Sequence, residues 1–424
     1  MDREFIHFRL QTERQLNHWY AAAQTIRRPE LVASAAAWGA LEQYVGARIR
    51  ESLAAACDQL LREFNVIRAQ FVAARSLADL DQVANGIVNF RTRYTRVEML
   101  VHFYGDAINS RTSPELGAKL RAFDYLAGVS MRRMLEPLRH PTPPVLVYLN
   151  KGLGASILRA GLRLWDGGTI SPVAAVSVTF HNQERPTAIV HETGHQVAAM
   201  LGWNEELAQL FERELRADSP ESALIWSRWS SEVAADAYGF ANVGFAAVAA
   251  LSDVVGGSPP QVFNYNPAGV HPISYLRVLL GFAMARRFYG RGIWDELELA
   301  WRTRYAIQFA PEALRPMLAV LERQVPKVTE LALLTPMRCF GGQSLAERID
   351  PALVSPESLL RLEREAGPAL MTSPHWVAKE CLRLIALIGY RFALSPEKAE
   401  ELITTHRNLM QRLGEAITGF KSAA

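Results

Sequence analysis

From Pro29 to about Ala107, apolar side chains recur at spacings of three and four, as in Leu53, Leu60, Leu61, Phe64, Ile67 and Phe71. This period matches the turn of a helix and not the alternation of a strand, so it predicts amphipathic helices. Asp79 and Asn85-Gly86 are the candidate breaks in that stretch. Ser113-Pro114-Glu115 predicts a further helix start. Serine caps a free N–H, proline needs no partner at the first helical position, and glutamate faces the positive end of the helix dipole. The same triplet recurs at 219, 355 and 395 and predicts three more starts.

His140-Pro141-Thr142-Pro143-Pro144 cannot continue a helix and is expected to mark a domain boundary. Beyond it the pattern changes. Val145–Leu149, Leu162–Trp165 and Val173–Phe180 read as short strands, with Asp166-Gly167-Gly168 as a break between the last two. Arg185-Pro186 restarts helix. After about Gly290 helical periodicity runs to the end, interrupted near Phe340-Gly341-Gly342. Gly152 and Gly154 belong to no GxxxxGK or GxGxxG pattern, so Asn150–Gly154 reads as a plain turn. The outline predicts a mainly α, α+β protein: a helical bundle over 1–140, a core with a small sheet over 141–290, and a helical region over 291–424.

Composition narrows the function. Of 424 residues, 49% are hydrophobic and 21% charged, a globular profile that excludes disorder as the main state. Forty-six basic against 43 acidic residues leave a net charge of +3, too small to imply nucleic-acid or membrane-surface binding. Residues 1–140 carry a small basic excess that reads as a solvated helical surface. Cys57, Cys339 and Cys381 are far apart and form no CxxC pair, which excludes a zinc ribbon and favours reduced thiols. The N-terminal residues lack the apolar core of a signal peptide. The most apolar window, Val243 to Val255, is too short to span a bilayer and contains Asp253. A soluble cytoplasmic protein is expected, without nucleic-acid partners or membrane insertion.

The chemistry concentrates in the middle of the chain. His191-Glu192-Thr193-Gly194-His195 is an HExxH motif. On a helix, positions i and i+4 share a face, so both imidazoles can bind one zinc ion. Glu192 stands beside them, placed to take a proton from an activated water. Ile189, Val190, Val197, Ala198 and Leu201 give this helix a buried flank. A catalytic zinc needs a third protein ligand, and the HExxHxxGxxH extension is missing because Ala198 and Leu201 occupy its Gly and His positions. The candidate lies downstream, where Glu232 and Asp236 share one face of a helix predicted to begin at Ser219-Pro220-Glu221. One carboxylate can bind the metal while the other accepts a hydrogen bond from a ligand histidine. His271, followed by Pro272 and Arg277, opens an apolar helix that reaches Tyr289.

Taken together, HETGH at 191–195, Glu232-x-x-Ala235-Asp236-x-x-Gly239, and His271-Pro272 with Arg277 resemble the gluzincin metallopeptidases. The resemblance is to the branch of the CAAX prenyl proteases and HtpX-type proteases, and it covers about 180 to 290. It implies a zincin-like core with one zinc ion per chain, held by His191, His195 and Glu232. It further implies Glu192 as catalytic base and Asp236 as support for a ligand. His271 and Arg277 would lie near the developing oxyanion or the substrate backbone. The strand before the zinc helix, with Val176 and Val178, is expected to be the edge on which extended peptide binds. The chain departs from the branch in predicting no transmembrane helix and in the short interval from His195 to Glu232, and the flanking helical regions resemble nothing in it. Prenylated or membrane substrates are therefore not expected.

The resulting expectation is a soluble zinc-dependent endopeptidase acting on protein or peptide, in which Glu192 is the general base for the zinc-activated water. The alternative is a catalytically inactive zinc-containing helical scaffold or adaptor, which would have no need of Glu192. Residues 1–140 hold His7, His18, His102 and His140 without metal-ligand spacing. Their expected role is substrate selection or docking of a regulatory protein partner.

Overall fold

The computed structural model of the chain describes residues 3–150, 155–162 and 170–421, the side chains of 44 and 418–421 excepted. It is mainly helical with one small sheet. Contacts divide the chain into two units, Met1–Leu116 with Leu158–Ala175, and Gly117–Ile157 with Val176–Ala424.

The first unit contains α1 (Arg3–Ile26), α2 (Ala35–Val45), α3 (Arg48–Ala73) and α4 (Leu77–Asn109). α1, α3 and α4 pack on one another around Leu53, Leu60, Phe64, Leu80, Val83, Ile87 and Phe90. The Phe64 ring lies 5.2 Å from Phe90 and 5.4 Å from Tyr20. Asp79 closes a capping box with Ser76 at the start of α4. Asn85-Gly86, by contrast, breaks nothing: it runs inside α4, packed beside Ile67.

The remaining elements begin with α5 (Pro114–Leu135), which passes into the second unit at Gly117. Strands β1 (Val145–Leu149), β2 (Ser156–Leu158) and β3 (Ala174–Val178) form a sheet in the order β1-β3-β2. Of the expected strand Leu162–Trp165 only Leu162 is described, and it lies outside any strand. The rest of that strand, the Asp166-Gly167-Gly168 break and most of the Asn150–Gly154 turn lie outside the described residues.

There follow α6 (Thr187–Leu201), α7 (Trp203–Leu215), α8 (Pro220–Arg228), α9 (Ser230–Val243) and α10 (Phe245–Val255). A single turn, α11 (Pro259–Val262), precedes α12 (Ser274–Tyr289), α13 (Ile293–Arg304) and α14 (Arg315–Leu334). The chain ends with α15 (Leu345–Arg348), α16 (Pro356–Ala366), α17 (Ala369–Thr372), α18 (Pro374–Lys379), α19 (Cys381–Leu394) and α20 (Ala399–Lys421). No helix among the described residues is long and apolar enough to cross a membrane.

The Ser-Pro-Glu signals mark real starts. Ser219 and Ser355 accept from the N–H groups of Ser222 and Ser358 and open α8 and α16. Proline 114 opens α5, whereas Pro396 begins a 3₁₀ turn that leads into α20. Gly341 and Gly342 take φ of 67° and 82°, the left-handed backbone that interrupts helix after Phe340. The helix expected to run from Ser219 through Asp236 is in fact two. It breaks at buried Trp229, whose ring sits edge-on to Trp226 at 5.4 Å.

The expected division near 140 and 290 does not match the two units. The proline stretch ends a helix without ending a packing unit, because Val147 N–H in β1 donates to Asp124 of α5 across it at 2.6 Å. Likewise α14 packs on α7, α9 and α12, and α19 on α9 and α10, so the C-terminal helices close the core that carries the site. Nor is β3 an edge. It lies between β1 and β2, all five of its residues are buried, and Ser177 Oγ meets Ser156 Oγ at 2.8 Å. Val176 and Val178 are therefore core residues of a central strand, with no free edge to offer a peptide; the short apolar run reflected burial on both faces.

His406 on α20 is buried, and neither ring nitrogen has a hydrogen-bond partner among the described residues. It lines a cavity of about 20 Å³ with Pro186, Ala246, Ile388 and Leu402. Burial first, then the charges of Lys119 and Arg407, push its pKa from 6.5 down to about 4. A folded pKa below the unfolded value means that only the neutral form is well accommodated. Its stability contribution is whole above about pH 6.5 and is lost as pH falls toward 4, at most about 3 kcal/mol. Urea unfolding of wild type and His406→Leu should show a steeper loss of stability between about pH 6.5 and 4 in the wild type than in the variant. Parallel pH profiles would contradict this.

Candidate metal centre

The site begins with the contact between α6 and α9. Glycine in mid-helix costs roughly 1 kcal/mol relative to alanine. At Gly194 it is needed, because a Cβ there would lie 3.0 Å from Ala235 Cα and 3.1 Å from Tyr238 Cβ. Small residues at 194 and 235 let the two backbones approach closely, and each helix turns its ligands toward the crossing. The crossing is also tied from behind by α5. Ser130 Oγ meets Thr193 Oγ1 at 2.7 Å, and Tyr238 Oη donates to the Ser130 carbonyl at 2.5 Å.

On this frame His191, His195 and Glu232 converge, with one ligand atom from each lying within 4.8 Å of the others. Among the described residues no other group of three His, Cys, Asp or Glu side chains is so placed. His195 Nε2 is 3.3 Å from Glu232 Oε1, and His191 Nε2 is 3.7 Å from Oε2. Donors at 2.0–2.1 Å in tetrahedral geometry are separated by about 3.4 Å. The group therefore fits a zinc-sized ion in both donor chemistry and spacing.

The far sides of both imidazoles are engaged. His191 Nδ1 is 2.9 Å from Asp236 Oδ1, and His195 Nδ1 is 3.2 Å from Ser231 Oγ. His191 Nδ1 faces the Asp236 carboxylate, which accepts its proton, and Nε2 points toward Glu232 and Arg277, with Arg277 Nη2 at 3.3 Å. A metal at Nε2 would take the place of that Arg277 contact.

Arg277 also binds Asp236 in bidentate fashion at 2.6 and 2.8 Å and reaches Glu232 Oε2 at 3.1 Å. Its side chain is only 11% exposed, with its donors turned to the two carboxylates. His271 is the opposite case: its side chain is 70% exposed, while Nδ1 touches Glu232 Oε1 at 3.3 Å. It is anchored at one nitrogen and otherwise open to solvent.

The electrostatics follow from these contacts. Burial alone would raise the Glu232 carboxyl, but Arg277 and the hydrogen bonds from His195 and His271 hold it far below the usual range. Asp236 is lowered too, burial being overcome by Arg277 and His191. Glu192 behaves differently. Burial raises its pKa above the ordinary value, and the neighbouring histidines only partly offset this. Two neighbouring glutamates thus shift in opposite directions, a pattern that suits one carboxylate as a ligand and another for proton transfer.

All the residues singled out around HExxH, ExxAD and HP therefore meet at this centre, except Val176 and Val178 in β3. The structure adds Ser130, Thr193, Ser231 and Tyr238. Ser231 had a signal in its position next to Glu232, whereas Ser130 had none. Comparison with models of protein families, with curated proteins and with solved structures finds nothing that matches the chain.

Because Asp236 orients His191 without belonging to the ligand group, Asp236→Asn should weaken zinc affinity by roughly 10–100-fold, as read by chelator competition. Gly194→Ala should also weaken it, with unfolding at lower urea, because the crossing must open. Unchanged affinity in both variants would contradict the assigned geometry.

Proposed function

We propose that the chain is a zinc-dependent endopeptidase with a zincin-like core, of the gluzincin type that its three motifs resemble. The observation that carries this reading is Glu192, a buried carboxyl with raised proton affinity on the helix that presents both histidines. A purely structural metal site has no use for it. The zinc, held by His191, His195 and Glu232, would supply Lewis acidity toward the scissile carbonyl and toward water.

In this proposal Glu192 accepts the proton of the attacking water and delivers it to the departing amine; a carboxyl whose proton affinity is raised by burial suits both halves of the transfer. His271 donates to the oxyanion from the open side of the cleft. Asp236 fixes the His191 tautomer, Ser231 steadies His195, and Arg277 balances the charge of both carboxylates. The substrate is a protein or peptide; because β3 has both edges paired, its positioning must come from other surfaces. Cys57 and Cys381 are buried free thiols with pKa values pushed up to about 11 and 12 by burial, an inert state that suits the proposed cytoplasmic setting.

Glu192→Gln keeps the side-chain shape and removes the base. Zinc content should persist while hydrolysis of a peptide library falls roughly 10²–10⁴-fold or more. His271→Ala should retain zinc and lose roughly 10²–10³-fold in kcat. Wild-type turnover in purified Glu192→Gln would refute Glu192 as the base, whereas no hydrolysis by the zinc-loaded wild type would favour a scaffold.

A further inference from the structure

A pocket of about 730 Å³, within the size range of ligand sites, is lined by the start of α8, by Pro260 and the 263–265 segment, and by residues between 311 and 320. Its apolar lining includes Phe263, Tyr265, Leu314, Met317 and Val320, and its prolines at 260, 311 and 316 give it a stiff rim. Glu221 is the one charged side chain among the lining residues.

Three connections join this pocket to the centre. Tyr265 stacks edge-on against Trp229 at 6.3 Å, and the Trp229 carbonyl accepts the N–H of Glu232 at 3.0 Å. Phe263 packs on Tyr275 at 5.1 Å, two residues before Arg277 on α12. The segment that carries Phe263, Asn264 and Tyr265 continues to His271, which touches Glu232. The pocket therefore connects to the centre through the contacts of Tyr265 with Trp229 and of Phe263 with Tyr275, and through the 263–271 segment.

We propose that this pocket is the docking site for an extended stretch of the polypeptide substrate beyond the bond to be cleaved. The stretch would place an aliphatic or aromatic side chain on the Phe263–Leu314–Met317 floor and a lysine or arginine beside Glu221. The inference rests on the peptidase reading for the identity of its occupant. Continuity with the centre favours substrate over a second copy of the chain, and the lone carboxylate favours a basic neighbour. A rigid, already formed pocket also lowers the ordering cost of binding a flexible chain.

The test uses full-length, zinc-loaded protein and fluorescein-labelled dodecapeptides carrying leucine or phenylalanine next to arginine. Anisotropy on the Glu192→Gln background measures binding without turnover. Ala313→Trp, at an exposed lining position, should fill the pocket without disturbing the fold and weaken binding tenfold or more. Glu221→Lys should weaken arginine-bearing peptides more than their norleucine counterparts. With Glu192 present, Ala313→Trp should raise KM for dodecapeptides and leave tetrapeptide hydrolysis unchanged.

Undiminished binding in Ala313→Trp would overturn the proposal even if the wild type is an active peptidase. Binding that depends on position 313, with no hydrolysis of any peptide, would support the docking site and defeat the peptidase reading. A wild-type dimer that Ala313→Trp dissociates in sedimentation would overturn substrate docking in favour of self-association.

Discussion

Everything at the centre depends on how closely α6 approaches α9. A methyl group at position 194 would press on the Ala235 backbone at 3.0 Å, so the distance between the helices is set by the absence of one side chain. At that distance His191 and His195 from one helix and Glu232 from the other come within reach of one ion. Pushing the helices apart would separate the ligands without changing any of them. The serine, threonine and tyrosine contacts from α5 hold the crossing against such a shift, and α14 and α19 pack against α9.

The second constraint is electrostatic. Glu232, Asp236, His191 and Arg277 are nearly or partly buried together, a costly arrangement unless every charge is matched. Arg277 matches two carboxylates at once, and its planar fork fits the Asp236 carboxylate at two points, which a lysine could not do. Loss of one member would leave its partners charged in a low-dielectric setting, typically a penalty of about 3–5 kcal/mol. Glu192 feels the same charges, but its burial and the neighbouring Glu232 carboxylate outweigh the pull of His191, His195 and Arg277, so its proton affinity rises.

How much of this could be read from sequence depends on how local the interaction is. HETGH was legible because a helix converts a spacing of four into a shared face, and the Ala-rich setting of Glu232 and Asp236 signalled tight packing for the same reason. Helix starts at 114, 220 and 356 were legible from a three-residue cap. Ser130 was not, since it meets Thr193 across 63 positions and only the fold joins them. The run Ala174–Val178 shows that a strand is buried but not whether its edges are paired, and pairing decided against Val176 and Val178 as a peptide-binding edge. The bounds of the two contact units were not legible for a related reason. Prolines at 141–144 end a helix locally, whereas the units are set by contacts such as Asp124 to Val147 and α19 to α10.

The central claim is that the crossing of α6 and α9 makes a three-ligand zinc site. X-ray absorption at the zinc edge of the loaded protein tests it most directly. The account predicts one zinc per chain with nitrogen and oxygen scatterers at about 2.0–2.1 Å, two of them imidazoles, and loss of one low-Z scatterer in Glu232→Ala. A sulfur shell at about 2.3 Å, or a Glu232→Ala spectrum identical to the wild type, would contradict it.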